Sequence, residues 1–166
     1  MIKRAALALL LLGACTPQAA PPKEPEAPAV ETPVAPAATG DSEKYKAASA
    51  GEVTVTSPVA GARVTSPLIA EGSAINSWFF EGQFVAELAV DGEVLAQAPA
   101  TQAGDKSWTD PGPVGFKAEL AFDVTKETNA ELILSEDMPE FIDEANDIRG
   151  PARSVRIPVV LLPPAK

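Results

Sequence analysis

The chain has 166 residues, with 13 lysines and arginines against 23 aspartates and glutamates, a net charge of −10, a single cysteine and no histidine. The lack of histidine excludes His-containing catalytic triads, most zinc sites and the commonest general base, and the acidic balance lacks the basic footprint that nucleic acid demands. One cysteine, Cys15, leaves no internal disulfide, and no pattern in the sequence asks for a cofactor.

Residues 1–4 carry the charges of Lys3 and Arg4, residues 5–12 are apolar, and Gly13, Ala14 and Cys15 follow. That order of charge, apolar run and small residues is the order of an export signal. The run falls far short of the roughly 20 residues that a spanning helix needs. Leu12, Gly13, Ala14 and Cys15 resemble the lipobox of bacterial lipoproteins. The resemblance implies that residues 1–14 are removed and that Cys15 receives a diacylglyceryl thioether and an N-terminal acyl chain such as palmitate. At about 0.8 kcal/mol per buried CH₂, three acyl chains would hold the protein at a membrane. Thr16 stands where many Gram-negative lipoproteins retained at the inner membrane carry Asp, which favours the outer membrane, facing the periplasm, in a Gram-negative source. Loss of Lys3 and Arg4 with the leader leaves 11 basic against 23 acidic residues, a net of −12.

Residues 15–50 form the next unit, the lipidated Cys15 and a Pro/Ala-rich tether. Prolines at 17, 21, 22, 25, 28, 33 and 36 alternate with alanines and scattered glutamates, and no apolar period lasts long enough to bury a face, so the segment is expected to be disordered. Extended at about 3.1 Å per residue, the 35 residues after Cys15 reach at most roughly 110 Å.

Residues 51–166 have the size of one domain, and their apolar period is two. "EVTVTSP" and "SPLIAEGSA" give two strands around a Pro/Gly turn at 58–61. In "FVAELAV" Phe84, Ala86, Leu88 and Val90 share a face, and Asp91-Gly92 supplies a tight hairpin turn into a return strand through Val94 and Ala96. "FKAELAFDV" alternates most cleanly, with Phe116, Ala118, Leu120, Phe122 and Val124 on one face and Lys117, Glu119 and Asp123 on the other. Leu132 with Leu134, and then Val155, Ile157, Val159 and Leu161, complete about seven antiparallel strands. Only residues 139–148 suggest a helical turn. The expected class is all-β, an immunoglobulin-like β-sandwich.

The stretch "TVTSPVAGARVTSPLIAEGSAINSWFFEGQFVAEL", followed by Ser107-Trp108 and by "PVGF" at 113–116, resembles the Gmad2 domain, an immunoglobulin-like module of bacterial spore-germination proteins and related envelope proteins. The paired Ser-Pro turns, the Trp-Phe-Phe-Glu run and the later lone Trp occur in the family's order, from about Val53 to Val159. Where the family carries an Asn-Pro-Ser-Gly-like turn, this chain reads Asp137, Met138, Pro139 and Glu140.

Trp78, Phe79 and Phe80 stand side by side in a chain with only 5% aromatics. Strict alternation cannot bury all three. One reading makes the run a crossing between sheets, with Phe80 and Phe84 facing the core. The other makes Trp78 or Phe79, with Trp108 from another loop and Glu81 as polar neighbour, an exposed platform for a glycan or a peptide. Glu136, Asp137, Glu140, Asp143, Glu144 and Asp147 cluster without an intervening base, as oxygen-rich calcium loops do, but without the EF-hand spacing; Arg149, Arg153 and Arg156 follow and can neutralise part of it.

Three classes of function remain open. A noncatalytic, lipid-anchored envelope module that contacts another protein leads. A module that binds cell-wall glycan through aromatics comes second. An enzyme using an acidic pair, Glu81 among the candidates, comes last, since carboxylates are too common here to single out two.

Overall fold

The computed structural model describes residues 43–164. The leader, Cys15 and nearly all of the Pro/Ala-rich segment lie outside the described residues. The described chain is all β: β1 (Tyr45–Ala47), β2 (Val53–Ser57), β3 (Ala62–Val64), β4 (Leu68–Ile75), a 3-10 turn (Asn76–Trp78), β5 (Gln83–Val90), β6 (Glu93–Ala103), β7 (Pro113–Leu120), β8 (Thr128–Ser135), β9 (Phe141–Asp143), a second 3-10 turn (Glu144–Asn146), β10 (Ile148–Arg149) and β11 (Ala152–Leu161). All seven expected strands are present, as β2, β4, β5, β6, β7, β8 and β11, and four short ones join them.

The strands run in the order β1-β11-β8-β5-β6-β7-β4-β2, with β3 also on β11. Neighbours are antiparallel except β1 and β3, which lie parallel to β11. The sheet folds over on itself at β6. This strand pairs with β5 from Glu93 to Thr101 and with β7 only through Thr101, Gln102 and Ala103, so one strand serves both halves of the sandwich, as corner strands do. Phe84 of β5 meets Phe116 of β7 edge to face across the interior, ring centroids 5.0 Å apart.

Period-two patterning sets the core. In β7 Val114, Phe116, Ala118 and Leu120 are buried while Lys117 and Glu119 are exposed. In β11 Val155, Ile157, Val159 and Leu161 do the same work from the other half. Asp91 and Gly92 both hold positive φ, 52° and 85°, the geometry that a two-residue hairpin turn requires. Gly72 is demanded by packing, because a Cβ there would fall 2.0 Å from the Thr54 carbonyl oxygen, beside the register shift between β2 and β4. The Ser57-Pro58 and Ser66-Pro67 bonds are cis.

Two sequence expectations change, and the helical turn expected within residues 139–148 is found as one 3-10 turn inside a hairpin. The alternation of "FKAELAFDV" ends as a strand at Leu120, and Phe122 and Val124 pack on the core from the following loop. Residues 139–148 are a small hairpin of β9 and β10, whose only helical feature is the Glu144–Asn146 turn; Asp143 accepts from the Asn146 amide N–H and from its Nδ2 at 2.7 Å, a side-chain cap that holds a single turn.

Residues 45–47, placed in the tether by composition, form β1. The cause is Tyr45, the single tyrosine of the chain. Its ring is buried with Ala89 and Ile133 on the outer face of β5 and β8, and its hydroxyl donates to Glu87 Oε2 at 2.5 Å. Lys44 Nζ adds an ion pair to Glu87 at 3.2 Å. Glu87, only 5% exposed, thereby gains the partners that a buried carboxylate needs. Burial pushes the Tyr45 phenol pKa up, and the bond to Glu87 pushes it in the same direction.

Two outcomes test this arrangement. Leu120→Ala should cost about 2 to 5 kcal/mol through the cavity it leaves, whereas exposed Glu119→Ala should stay within about 0.5 kcal/mol; equal shifts in thermal melts would reverse the assigned faces of β7. Tyr45→Phe keeps the ring but strips one donor from Glu87 and should cost about 1 to 3 kcal/mol in denaturant unfolding. An unchanged midpoint would mean that β1 does not hold to the sheet face.

Candidate functional site

Between β4 and β5 the chain makes two turns in quick succession. Asn76–Trp78 is one turn of 3-10 helix, and Phe79 returns to extended backbone at φ −88° and ψ 139°. Phe80 and Gln83 then exchange backbone hydrogen bonds of 2.8 and 3.1 Å around Glu81 and Gly82, both at positive φ, 52° and 80°. Successive side chains on a 3-10 turn diverge by about 120° rather than by the 180° of a strand. Trp78 and Phe79 straddle the change from one geometry to the other, and both rings turn inward. Trp78 is 0% exposed, Phe79 6% and Phe80 42%.

The crossing reading therefore holds, with the rings reassigned. Phe84 faces the core as expected, but Phe80 does not; Trp78 and Phe79 take its place. Phe84 is the hub, meeting Trp78 at 5.7 Å and Phe79 at 5.1 Å between centroids, both edge to face. Such pairs add about 0.5 to 1.5 kcal/mol beyond burial. Neither Trp78 nor Phe79 offers an open ring face to a ligand.

Of the four platform residues the structure brings two together. Trp108 is half-buried on a tight loop, in which the Ser107 N–H donates to Asp110 at 2.9 Å and the Trp108 N–H donates to Gln102 Oε1 at 2.8 Å. Its indole lies against the Glu81-Gly82 turn, where a Cβ on Gly82 would stand 3.3 Å from Trp108 Cδ1. Glu81 is exposed there. Trp78 and Phe79 remain beneath, in the core.

The acidic cluster is dispersed in the same way. Glu136 is 4% exposed and belongs to a clamp. Arg153 Nε donates to Glu136 Oε2 at 2.7 Å, and a terminal nitrogen donates to the same oxygen at 2.5 Å. The other terminal nitrogen reaches Glu52 at 2.9 Å, and Ser77 Oγ accepts at 3.2 Å. The guanidinium lies 5.9 Å from the centre of the Trp78 ring. Hydrogen bonding to Glu136, above the opposing cost of burial, raises the Arg153 pKa. Asp143 caps its own turn, Asp137 lies before the hairpin with its N–H directed at the Trp78 carbonyl, and Glu140, Glu144 and Asp147 spread along the β9–β10 hairpin. Among the described residues no three such carboxylates converge as metal ligands. The expected neutralisation by the downstream arginines is met between Arg153 and Glu136, 17 residues apart, while Arg149 donates to the Pro139 carbonyl and Arg156 pairs with Glu131, outside the cluster.

An open depression of about 400 Å³ lies over Gln83, Phe84, Val85, Gln97, Ala98, Pro99 and Asp137. It holds one carboxylate and no basic side chain, so it assembles no acid–base pair.

Stability separates the rings. Trp78→Ala should cost about 3 to 5 kcal/mol, as removal of a buried ring does, and Phe80→Ala less than about 1 kcal/mol. Denaturant midpoints in which Phe80→Ala is the worse of the two would contradict the turn geometry.

The family model for the immunoglobulin-like domain of bacterial spore germination, Gmad2, matches residues 52–140, more than half of the 166-residue chain. The match takes in β2 to β8, the aromatic turn and Glu136, and it stops short of the hairpin strands and β11. No curated protein and no solved structure matches the chain. On that match the chain belongs to the Gmad2 family of immunoglobulin-like domains.

Proposed function

We propose that the protein is a lipid-anchored component of a bacterial cell envelope that presents its noncatalytic immunoglobulin-like domain for contact with another protein. The observation that carries this reading is the joining of an immunoglobulin-like domain to a leader of basic residues, apolar run and Leu-Gly-Ala-Cys, with Cys15 the only cysteine. Cys15 carries the lipid, residues 16–42 separate domain from membrane, and Thr16 favours the outer membrane, facing the periplasm, in a Gram-negative source. The acidic surface keeps the domain from docking directly on anionic lipid.

Open sheet edges support a role in protein contacts. From Glu93 to Ala100 β6 pairs with β5 alone among the described strands, and Val94 and Leu95 on this stretch are 49% and 40% exposed. Such edges accept a further strand or loop. A glycan-binding alternative rests on Trp108 and Glu81, since Trp78 and Phe79 lie in the core; sedimentation with purified peptidoglycan, lost on Trp108→Ala, is the result that would favour it.

Cys15→Ser should abolish acyl labelling and move the protein from the membrane to the soluble fraction, with the thermal transition of the domain unchanged, because the described core begins at Tyr45. Retention on membranes after a high-salt wash would refute the anchor.

A further inference from the structure

Between β8 and β11 the chain leaves the sandwich as the β9–β10 hairpin, which is fastened within itself. The Gly150 N–H donates to the Glu140 carbonyl at 2.9 Å. Arg149 donates to the Pro139 carbonyl at 2.7 Å and lies 3.8 Å from the centre of the Phe141 ring. Asp143 caps the connecting turn. Despite this order the hairpin turns its large apolar side chains outward: Met138 is 43% exposed, Phe141 40%, Ile142 72% and Ile148 47%. None joins the core. An internally braced loop that holds apolar side chains in water gains nothing from them in the isolated domain. Braced loops of this kind bind with little ordering cost.

The charge around these side chains identifies what covers them. Glu140, Asp143, Glu144 and Asp147 stand among them in the chain, and the one cation of residues 138–150, Arg149, is occupied by Pro139 and Phe141. A second copy of the chain would bring like carboxylates together. An anionic lipid surface would be repelled. Resting on the protein-contact reading above, we infer that the hairpin is the docking element and that its partner is a protein with an apolar cleft rimmed by lysine or arginine. Ile142 and Ile148 enter the cleft, and the carboxylates meet the rim, steering approach and fixing orientation. Phe141, Ile142 and Ile148 lie beyond the family match, which stops at 140, so this contact belongs to the chain rather than to the shared part of the domain.

The test uses the full-length protein in its own cells with a photoreactive phenylalanine analogue at Ile148, and in parallel at Val59, Leu95 or Trp108, with crosslinked peptides sequenced by mass spectrometry. The expected result is capture at Ile148 of one protein through a peptide carrying apolar residues beside Lys or Arg. Its yield should fall about tenfold or more when Ile142→Asp, or Glu144→Lys with Asp147→Lys, is added, as loss of an interface anchor does; melting of the purified variants should be unchanged. Capture of lipid, of an acidic peptide, or of a protein whose yield ignores both variants overturns the inference. Protein capture at the other positions but not at Ile148 overturns it and leaves the protein-contact reading standing, whereas capture of no protein at any position overturns both.

Discussion

Arg153 ties together four segments that the β2–β4 and β8–β11 ladders bring to one end of the sandwich. Glu52 lies just before β2, Ser77 sits in the crossing turn, Glu136 follows β8, and Arg153 itself is in β11; one guanidinium bonds to all of them. Its fork makes two bonds to Glu136 and still has a nitrogen for Glu52, a division that a lysine could not reproduce. Removing either carboxylate would leave Arg153 one counter-charge and part of its fork without an acceptor, at about 1 to 3 kcal/mol. The clamp closes the end of the sandwich where the chain changes sheets. With that end closed Trp78 can lie fully inside, and the edge-to-face chain from Trp78 and Phe79 through Phe84 to Phe116 can run across both halves.

Much of this fold is written as alternation. In β7 and β11 each second residue is apolar, and the same residues fill the core; Asp91-Gly92 announces its turn by chemistry alone. β1 is illegible for the opposite reason. Three residues cannot display a period, and their partner strand lies over 100 residues away, so only the isolated Tyr45 hinted that the Pro/Ala-rich stretch had ended. The aromatic run was half legible. Alternation said correctly that the three rings could not share one face, and it led to a crossing between sheets, but it sent Phe80 to the core in place of Trp78 and Phe79. Asn76-Ser77 before the rings and Glu81-Gly82 after them were the signal of two turns. Glu136 carried a signal as well, since it continues the inward parity of Leu132 and Leu134. Read as one of six acids within twelve residues it looked like part of an oxygen-rich loop; read by parity it belonged inside.

The exposed hairpin and the point where the chain enters the domain are neighbours. The Ala152 N–H donates to the Lys44 carbonyl at 3.0 Å, and Ala152 pairs with Tyr45, two residues after the glycine that closes the hairpin stem. The segment proposed as a tether therefore joins the domain beside the proposed docking element, through the bonds of Tyr45 and Lys44 to Glu87. β1 is held by its parallel pairing with β11, by one buried ring and by one carboxylate, while the hairpin is braced by its own hydrogen bonds and followed, three residues after Gly150, by Arg153. The proposed points of attachment and docking thus share a corner of the molecule but not a set of interactions: Glu87 gathers Lys44 and Tyr45, whereas Arg149 fastens the hairpin to Pro139 and Phe141.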